Sequence, residues 1–224
     1  MSDKRLVIVN KRYSSWSLRA WLMLRMANLP FEEIWLDLAE PESKQTILRY
    51  NPAGKVPVLL DGDLTVYDSL AIGEYVNEVY AGGRFLPTDQ EARAIARSAC
   101  AEMHAGFPNL RQALPMDLGR EPSPVDGLSP ETNLEIARVL SLWDGLRQRY
   151  GDDGEFLFGA WGLPDAMFTP VAARLHHYGV GMDQLPRAKA YCDALRSLPA
   201  YQEWLDAAME EPERPQFSRE GYNR

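Results

Sequence analysis

The sequence predicts an α/β unit followed by an all-α unit, and three observations carry this fold class. Strand-length and helix-length apolar patterns alternate over residues 5–80. The stretch AGGRFLPTD (81–89) has the glycines and the proline of a linker. Every periodic segment after it has helical spacing. We therefore predict a first domain over residues 1–82, a second over residues 89–212 and a polar tail over residues 213–224.

The first unit contains segments of both kinds. Four segments have the length and composition of strands: RLVIV (5–9), FEEIWLDL (31–38), PVLLD (57–61) and LTVYD (64–68). Three segments have helical patterning: SLRAWLMLRMAN (17–28), EPESKQTILRY (40–50) and SLAIGEYVNEVY (69–80). The last two strands flank a Gly-Asp turn that is typical of a hairpin. The predicted order is β-α-β-α-β-β-α.

The second unit contains helices alone. We predict a long helix, a loop over residues 115–130 and four further helices, the five helices spanning residues 89–114, 131–150, 165–178, 186–197 and 199–210. The final stretch, PERPQFSREGYNR, is polar, and we expect it to be loosely held.

Composition excludes several classes of function. The net charge of −8 gives no basic footprint for nucleic acid. No apolar run approaches the roughly 18 residues that a membrane span needs, and the N-terminal apolar run is too short for a signal peptide. The two cysteines, Cys100 and Cys192, lack the spacing of a zinc site or a redox pair. We therefore expect a cytoplasmic protein without a bound metal.

Two adjacent serines follow the first predicted strand, in the stretch NKRYSSWSLRAW. One serine is enough to cap a helix, because its oxygen accepts a hydrogen bond from a free backbone N–H. A helix N-terminus also stabilises an anion. Because no cysteine lies there, one of Ser14 and Ser15 could donate a hydrogen bond to the thiolate of a ligand while the other caps the helix. Two turn serines with nothing bound are the alternative.

Two further stretches suit the other parts of a peptide ligand. NPAGKVPVLL places Val56 and Pro57 at the start of a strand, where the main chain could pair with an extended peptide. YDSLAI places Asp68 and Ser69 at the start of a helix, where they suit an ammonium group and a carboxylate. An edge proline and a plain helix cap are the respective alternatives. Together the three stretches meet the requirements for binding γ-Glu-Cys-Gly.

On these stretches the chain resembles the cytosolic glutathione transferases, in which a thioredoxin-like domain precedes an all-α domain. YSSWSLRAWLML is similar to the SSCSWRVRIAL stretch of the zeta class, and NPAGKVPVLLDGDLTVYDSLAIGEYV is similar to a signature that the family shares. The similarity runs from about residue 5 to residue 210. It implies the glutathione transferase fold, glutathione as a co-substrate, no bound cofactor, and a homodimer.

The resemblance also implies roles for single residues. Ser14 matches the serine that assists the glutathione thiol in the zeta class, and Ser15 is its neighbour. Replacing Ser14 by alanine is therefore expected to raise the pKa of the bound thiol more than replacing Ser15. The implied glutathione-binding residues are Lys55, Val56, a cis Pro57, Asp68 and Ser69. Lys55 could reach the glycine carboxylate or be a solvated lysine.

The chain departs from the zeta pattern in places. Trp16 replaces a cysteine, and its ring is either a wall of the electrophile pocket or part of the core. By the resemblance, His177 matches the basic residue that zeta isomerases use for a substrate carboxylate; a surface position for His176 and His177 is the alternative. These departures weigh against maleylacetoacetate isomerase activity. Asp165 matches the family's helix-capping aspartate, which has a role in folding and not in catalysis. Three residues earlier, Gly162 replaces the usual serine or threonine.

The stretch CAEMHAGFPNLRQALPM would supply the electrophile site of the helical domain. Met103 and Phe107 are candidates for its wall, with a place in the core as the alternative. His104 could move a proton or anchor an anion, or be a surface histidine. Asn109 and Arg111 lie nearby. With Trp16, the predicted pocket residues are Met103, His104 and Phe107.

The predicted function is that of a glutathione transferase involved in detoxification. The glutathione thiolate, stabilised by Ser14, would attack a small hydrophobic electrophile between the domains. A non-catalytic module of the same fold and a glutathione-dependent isomerase are the alternatives. A thiol–disulfide reductase is disfavoured, because residues 14–17 contain no cysteine.

Overall fold

The chain begins with a four-stranded mixed sheet and its flanking helices. The computed structural model describes residues 3–219. The strands are β1 (Lys4–Val9), β2 (Glu32–Leu36), β3 (Val58–Asp61) and β4 (Leu64–Tyr67), in the spatial order β2-β1-β3-β4. β2 is parallel to β1, whereas β3 is antiparallel to both β1 and β4. The intervening helices are α1 (Ser15–Met26), α2 (Pro41–Tyr50) and α3 (Ser69–Val79). This is the predicted order of elements.

The two faces of the sheet pack against different partners, because successive residues of a strand point to opposite sides. Leu6 and Leu59 belong to the main hydrophobic core, to which α1 and α3 also contribute. Val7 and Val58 form a smaller cluster with Tyr50, the last residue of α2, on the other face. Helix α1 also contacts two helices from the second half of the chain, so the sheet and the helical region share one core.

Between residues 90 and 209 the chain forms six helices: α4 (Gln90–Ala105), α5 (Pro108–Ala113), α6 (Pro130–Tyr150), α7 (Leu163–His177), α8 (Pro186–Arg196) and α9 (Pro199–Met209). Helix α7 is central, because it contacts α1, α3, α4 and α8. Asp165 holds its first turn by accepting hydrogen bonds from the Gly162 N–H (2.7 Å) and the Tyr191 hydroxyl (2.9 Å). Asp165 therefore has the folding role that the sequence predicts.

The predicted single helix over residues 89–114 is wrong, because the chain breaks between α4 and α5. Phe107 has a φ of 58°, in the left-handed region, and Pro108 is the first residue of α5. Proline disfavours the α conformation in the residue before it and cannot donate the hydrogen bond that would continue α4. The other predicted strands and helices begin and end within two residues of the observed bounds.

The C-terminal segment, defined here as residues 211–217, is not loose as predicted. It lies against the β1–α1 loop and ends in a short 3-10 helix, Pro215–Phe217. The reason is that its charged side chains find partners in the first 37 residues, as the ion pair of Arg214 with Asp37 illustrates. Residues 220–224 of the predicted tail lie outside the described residues. No helix formed by residues 3–219 is long and apolar enough to cross a membrane.

Candidate functional site

The first predicted serine, Ser14, is the N-cap of α1. Its Oγ accepts a hydrogen bond from the Ser17 N–H (3.3 Å), and its hydroxyl donates to the Oγ of Ser17 (2.8 Å). The Ser14 backbone is extended, as is usual for an N-cap. In this arrangement the hydroxyl proton of Ser14 points at Ser17, so Ser14 supports the start of the helix.

The second serine, Ser15, has different partners. Its side-chain oxygen accepts a hydrogen bond from Nη2 of Arg174 (3.1 Å), and its carbonyl accepts one from Nη1 of Arg19 (3.1 Å). A guanidinium group only donates hydrogen bonds, so the hydroxyl proton of Ser15 is left to donate elsewhere. Ser15 is 5% exposed, and a donor in such a sheltered position can bind an anion strongly.

Both serines line a cavity of about 620 Å³, which we name the α1 cavity. Its walls come from α1, from α5 and the residues after it, from α7 and from the C-terminal segment. The lining side chains include Tyr13, Ser14, Ser15, Trp16, Leu38, Val56, Arg111, Gln112, Pro115, Met116, Arg174 and Phe217. Hydroxyl, guanidinium and apolar groups thus meet at the N-terminus of α1.

A second cavity, of about 710 Å³, adjoins the first and is named here the β3 cavity. Four residues line both: Trp16, Leu38, Val56 and Arg111. The β3 cavity contains all five residues that the sequence predicts to bind glutathione, namely Lys55, Val56, Pro57, Asp68 and Ser69. The two cavities therefore lie side by side between the start of α3 and the start of α1, and we refer to them together as the groove.

The bond between Val56 and Pro57 is cis, as the resemblance to the glutathione transferases implies. The paired residues of β3 begin at Val58, which is opposite Val7 and Tyr67. The main chain of Val56 therefore lies outside the ladder of the sheet. Val56 lines both cavities.

At the start of α3, Ser69 is 2% exposed, and its Oγ has no hydrogen-bond partner among the described residues. A buried hydroxyl without a partner is unfavourable, so this group is available to a ligand. Asp68 caps α3 by accepting a hydrogen bond from the Leu70 N–H (2.9 Å). The other carboxylate oxygen of Asp68 lies 3.0 Å from Nε2 of His104, which also lines the β3 cavity.

Trp16 stands between the two cavities among cationic groups. The guanidinium carbon of Arg19 lies 4.4 Å from the centroid of its ring, and that of Arg111 lies 5.4 Å from it. The His104 ring meets it edge-on, with 5.3 Å between centroids. Burial, followed by the nearby charges of Arg174 and Arg111, lowers the pKa of Arg19 well below its usual value. The positive charges of the three arginines repel one another, and an anion in the groove would offset this repulsion. The groove therefore favours an anionic ligand.

Three residues that the sequence assigns to the electrophile site are elsewhere. Met103 is fully buried and Phe107 is 6% exposed; both pack in the main core and line neither cavity. His177 also lies outside both cavities, and its Nδ1 is 2.6 Å from the carbonyl oxygen of Arg120. Arg174, three residues before His177, lines the α1 cavity instead. The sequence contained a signal for Arg174, which is an arginine within an otherwise apolar helix. Buried charges are rare unless they are paired, so such an arginine indicates a polar site.

The remaining candidates are structural. Asn109 donates a hydrogen bond to Glu135 of α6 (2.8 Å). Cys100 and Cys192 are free and buried; burial raises the pKa of Cys100 well above its usual value and that of Cys192 to about 12. Neither thiol is therefore a ready nucleophile. Among residues 3–219 no group of three His, Cys, Asp or Glu side chains could hold a metal ion.

Comparisons with known proteins agree with this architecture. Residues 13–79 match the family "Glutathione S-transferase, N-terminal domain". A zeta-class glutathione S-transferase from Euphorbia esula is 29% identical over 193 residues, which cover 84% of each chain. A probable maleylacetoacetate isomerase from Caenorhabditis elegans is 24% identical over 202 residues, covering 90% of this chain and 93% of the relative.

Solved structures show the same fold. A glutathione transferase homologue from Burkholderia GL BGR1, with bound glutathione, has a TM-score of 0.68 at 24% identity, covering 93% of this chain and 99% of that one. The matched N-terminal residues contain most of the groove described above, from Tyr13 to Ser69. Residues 13–79 thus match a glutathione S-transferase N-terminal domain, and the chain as a whole is similar to glutathione S-transferases in sequence and has their fold.

Proposed function

We propose that the chain is a glutathione transferase that binds its co-substrate along the groove and holds the thiolate at the start of α1. One observation carries this proposal. Two adjoining cavities join a buried hydroxyl without a partner, Ser69, to a buried hydroxyl with a free proton, Ser15. A tripeptide with an anionic group near each end of that path would satisfy both.

The β3 cavity offers a group for each part of the tripeptide except the thiol. The Ser69 hydroxyl and the first N–H groups of α3 suit the γ-glutamyl carboxylate, and Asp68 suits the γ-glutamyl ammonium group. The main chain of Val56, beside Pro57, suits the cysteinyl main chain, as in strand addition. Lys55 is exposed at the rim and suits the glycine carboxylate.

The thiol would then lie in the α1 cavity beside the serines. Sequence similarity gives Ser14 the larger role, whereas the hydrogen bonds favour Ser15. Ser14 directs its proton to Ser17, but Ser15 receives a hydrogen bond from Arg174 and keeps its own proton for the sulfur. We therefore propose Ser15 as the donor to the thiolate and Ser14 as the cap that positions it.

The energies suffice for activation of the thiol. A free thiol has a pKa near about 8.5, and lowering it by about two units requires about 2.7 kcal/mol. A hydrogen bond to a charged acceptor contributes about 1.5–3 kcal/mol, and a sheltered helix N-terminus contributes up to about 2 kcal/mol. The two contributions together keep most of the bound thiol ionised at neutral pH.

The electrophile site is less apolar than the sequence suggests. Met116 and Pro115 provide apolar surface in the α1 cavity, but Arg111 and Arg174 line the same space. Guanidinium groups bind carboxylates with paired, charge-assisted hydrogen bonds. We therefore propose a small electrophile that carries a carboxylate, rather than a purely hydrophobic one.

Two reactions suit this arrangement. In conjugation, the sulfur forms a bond to the electrophilic carbon while a leaving group departs with its electron pair. In isomerisation, the sulfur adds to a conjugated double bond, the new single bond rotates, and expulsion of the sulfur restores both the double bond and glutathione. Isomerisation is the alternative to conjugation, and the two arginines support it. They would bind the carboxylate of an unsaturated acid and hold that end of the substrate while the new single bond rotates. The similarity to a probable maleylacetoacetate isomerase supports the same alternative.

Several expectations accompany the proposal. We propose that residues 1–82 form the glutathione-binding domain and that residues 89–212 complete the electrophile site. A cytoplasmic homodimer, a role in detoxification and the absence of a metal or a bound cofactor remain predictions. A non-catalytic module of this fold remains the rival function, and it predicts no change in any activity when Ser15 is replaced.

Titration of the protein with glutathione by calorimetry tests the proposal. Loss of a hydrogen bond to a charged group costs about 1.5–3 kcal/mol, so Ser69→Ala should weaken glutathione binding about 10- to 100-fold. Ser98→Ala is the matched control, because Ser98 is exposed on α4 and bonds to a backbone carbonyl. Absence of binding by the unmodified chain would refute the proposed function. Equal affinities of the Ser69 variant and the unmodified chain would refute this mode of binding.

A further inference from the structure

The C-terminal segment is anchored to the loop that precedes Ser14. The two carboxylate oxygens of Glu211 accept hydrogen bonds from the backbone N–H groups of Lys11 (2.8 Å) and Arg12 (3.2 Å). Glu211 also accepts a hydrogen bond from the Trp35 indole (2.7 Å). Backbone donors near the protein interior need such partners, so Glu211 ties the segment to the β1–α1 loop.

A second anchor lies three residues further along the segment. The guanidinium of Arg214 binds Oδ2 of Asp37, with 3.0 Å from Nε and 2.5 Å from Nη2. The Arg214 N–H donates to the hydroxyl of Tyr13 (2.9 Å). Asp37 also binds the Asn10 amide at the end of β1 (2.9 Å). The segment is therefore held at two points, Glu211 and Arg214, beside the loop that precedes the serines.

These anchors bring an aromatic ring to the α1 cavity. Phe217 packs on Tyr13, with 5.6 Å between ring centroids, and lines the cavity together with Ser14 and Ser15. It is half-buried and is a large apolar side chain on that wall. A substituent on a sulfur held at the serines would extend into the space that Phe217 borders.

We propose that Phe217 is a specificity-determining residue, which selects electrophiles by packing on the group attached to the sulfur. The inference rests on the proposed function and extends it to a part of the chain outside the matched N-terminal domain. Phe217 lines the α1 cavity but not the β3 cavity, so it should leave the recognition of glutathione itself unaffected. It should affect only ligands whose sulfur carries a group that reaches the Phe217 ring, and a long apolar chain is a suitable probe for this contact.

Calorimetric titration of the full chain with glutathione, S-methylglutathione and S-hexylglutathione tests this role. In Phe217→Ala we expect an approximately tenfold weaker affinity for the hexyl derivative, which corresponds to about 1.4 kcal/mol, and unchanged affinities for the other two ligands. Phe217→Leu should give an intermediate loss. Gln216→Ala is the matched control, because Gln216 is exposed on the same segment and lines neither cavity.

The outcomes separate the inference from the proposed function. If the unmodified chain does not bind glutathione, both are overturned. If glutathione binds but the ratio of hexyl to methyl affinity is the same in Phe217→Ala as in the unmodified chain, the inference alone is overturned. An equal loss in Gln216→Ala also overturns it, because the effect would then belong to the segment and not to the ring.

Discussion

At the residue scale, guanidinium groups dominate the surroundings of Ser15. Arg174 donates to its side chain, Arg19 donates to its carbonyl, and Arg111 contacts the Trp16 ring, as Arg19 does. Neither Arg19 nor Arg111 forms an ion pair with an acidic side chain among residues 3–219. Positive charge around a sheltered donor favours anions, and both a thiolate and a substrate carboxylate are anions.

Replacing Arg111 tests whether the groove binds a substrate carboxylate. Arg111→Gln removes a charge that lines both cavities and leaves the hydrogen bond between Arg174 and Ser15 in place. A charge-assisted hydrogen bond contributes about 1.5–3 kcal/mol, so kcat/KM for a carboxylate-bearing electrophile should fall about 10- to 100-fold. Turnover of the corresponding neutral ester, measured in parallel, should fall much less.

Arg138→Gln is the control for this substitution, because Arg138 pairs with Glu102 away from both cavities. It removes the same charge from the protein as a whole. Equal losses for the acid and its ester in Arg111→Gln would contradict the proposed carboxylate site.

At the element scale, the N-terminus of α1 is held from three directions. Ser14 caps it from within, Arg174 of α7 reaches it from the helical region, and the C-terminal segment fixes the preceding loop. The sequence predicts the cap, because the signal lies within four residues. It does not predict the other two supports, since the separations are 159 residues for Arg174 and 200 residues for Glu211. Such contacts arise from packing rather than from local patterns.

The pKa of Asp37 reports whether the C-terminal segment is docked. The hydrogen bond from Arg214, which outweighs the opposing effect of burial, lowers this pKa from its ordinary 3.8 to about 2. The folded state is therefore stabilised above pH 3.8, and this stabilisation is lost as the pH falls towards 2. In Arg214→Gln the pKa of Asp37 should rise, and stability should fall less steeply with acid.

Carboxyl NMR titration and urea unfolding between these pH values measure both effects. Asp61 serves as an internal control, because none of its hydrogen-bond partners belongs to the C-terminal segment. Burial raises the pKa of Asp61, but hydrogen bonds from Tyr80 and Tyr75 outweigh this effect and lower it. An unchanged pKa of Asp37 in Arg214→Gln would show that the segment does not hold this carboxylate. A matching shift of Asp61 would show a general change in the protein instead.

The break between α4 and α5 shows where element prediction fails. The apolar spacing continues through residues 106 and 107, so periodicity alone predicts one helix. Pro108 was the contrary signal, because a proline ends a helix before it more often than it continues one. The break also affects the site. Met103 and Phe107 pack in the main core, whereas Arg111 on α5 lines both cavities.

At the scale of the whole molecule, the N-terminal unit was the more predictable part. Its groove depends on motifs that are short and local, so the five glutathione-binding candidates could be named from the sequence and lie together in the β3 cavity. The α1 cavity, the proposed electrophile site, is assembled from α1, α5, α7 and the C-terminal segment, which meet only in the folded chain. For that reason Arg174 and Phe217 were not predicted; of the pocket residues named from the sequence, Trp16 lines both cavities and His104 lines the β3 cavity alone.

The most direct test of the account follows the ultraviolet absorbance of the thiolate while the glutathione complex is titrated with base. We predict a bound thiol pKa about two units below its free value of about 8.5, a rise of about one unit or more in Ser15→Ala, and little change in Ser14→Ala or Ser15→Thr. A thiol that titrates at its free value in the unmodified complex, or a Ser15→Ala complex that titrates like the unmodified one, would contradict the account.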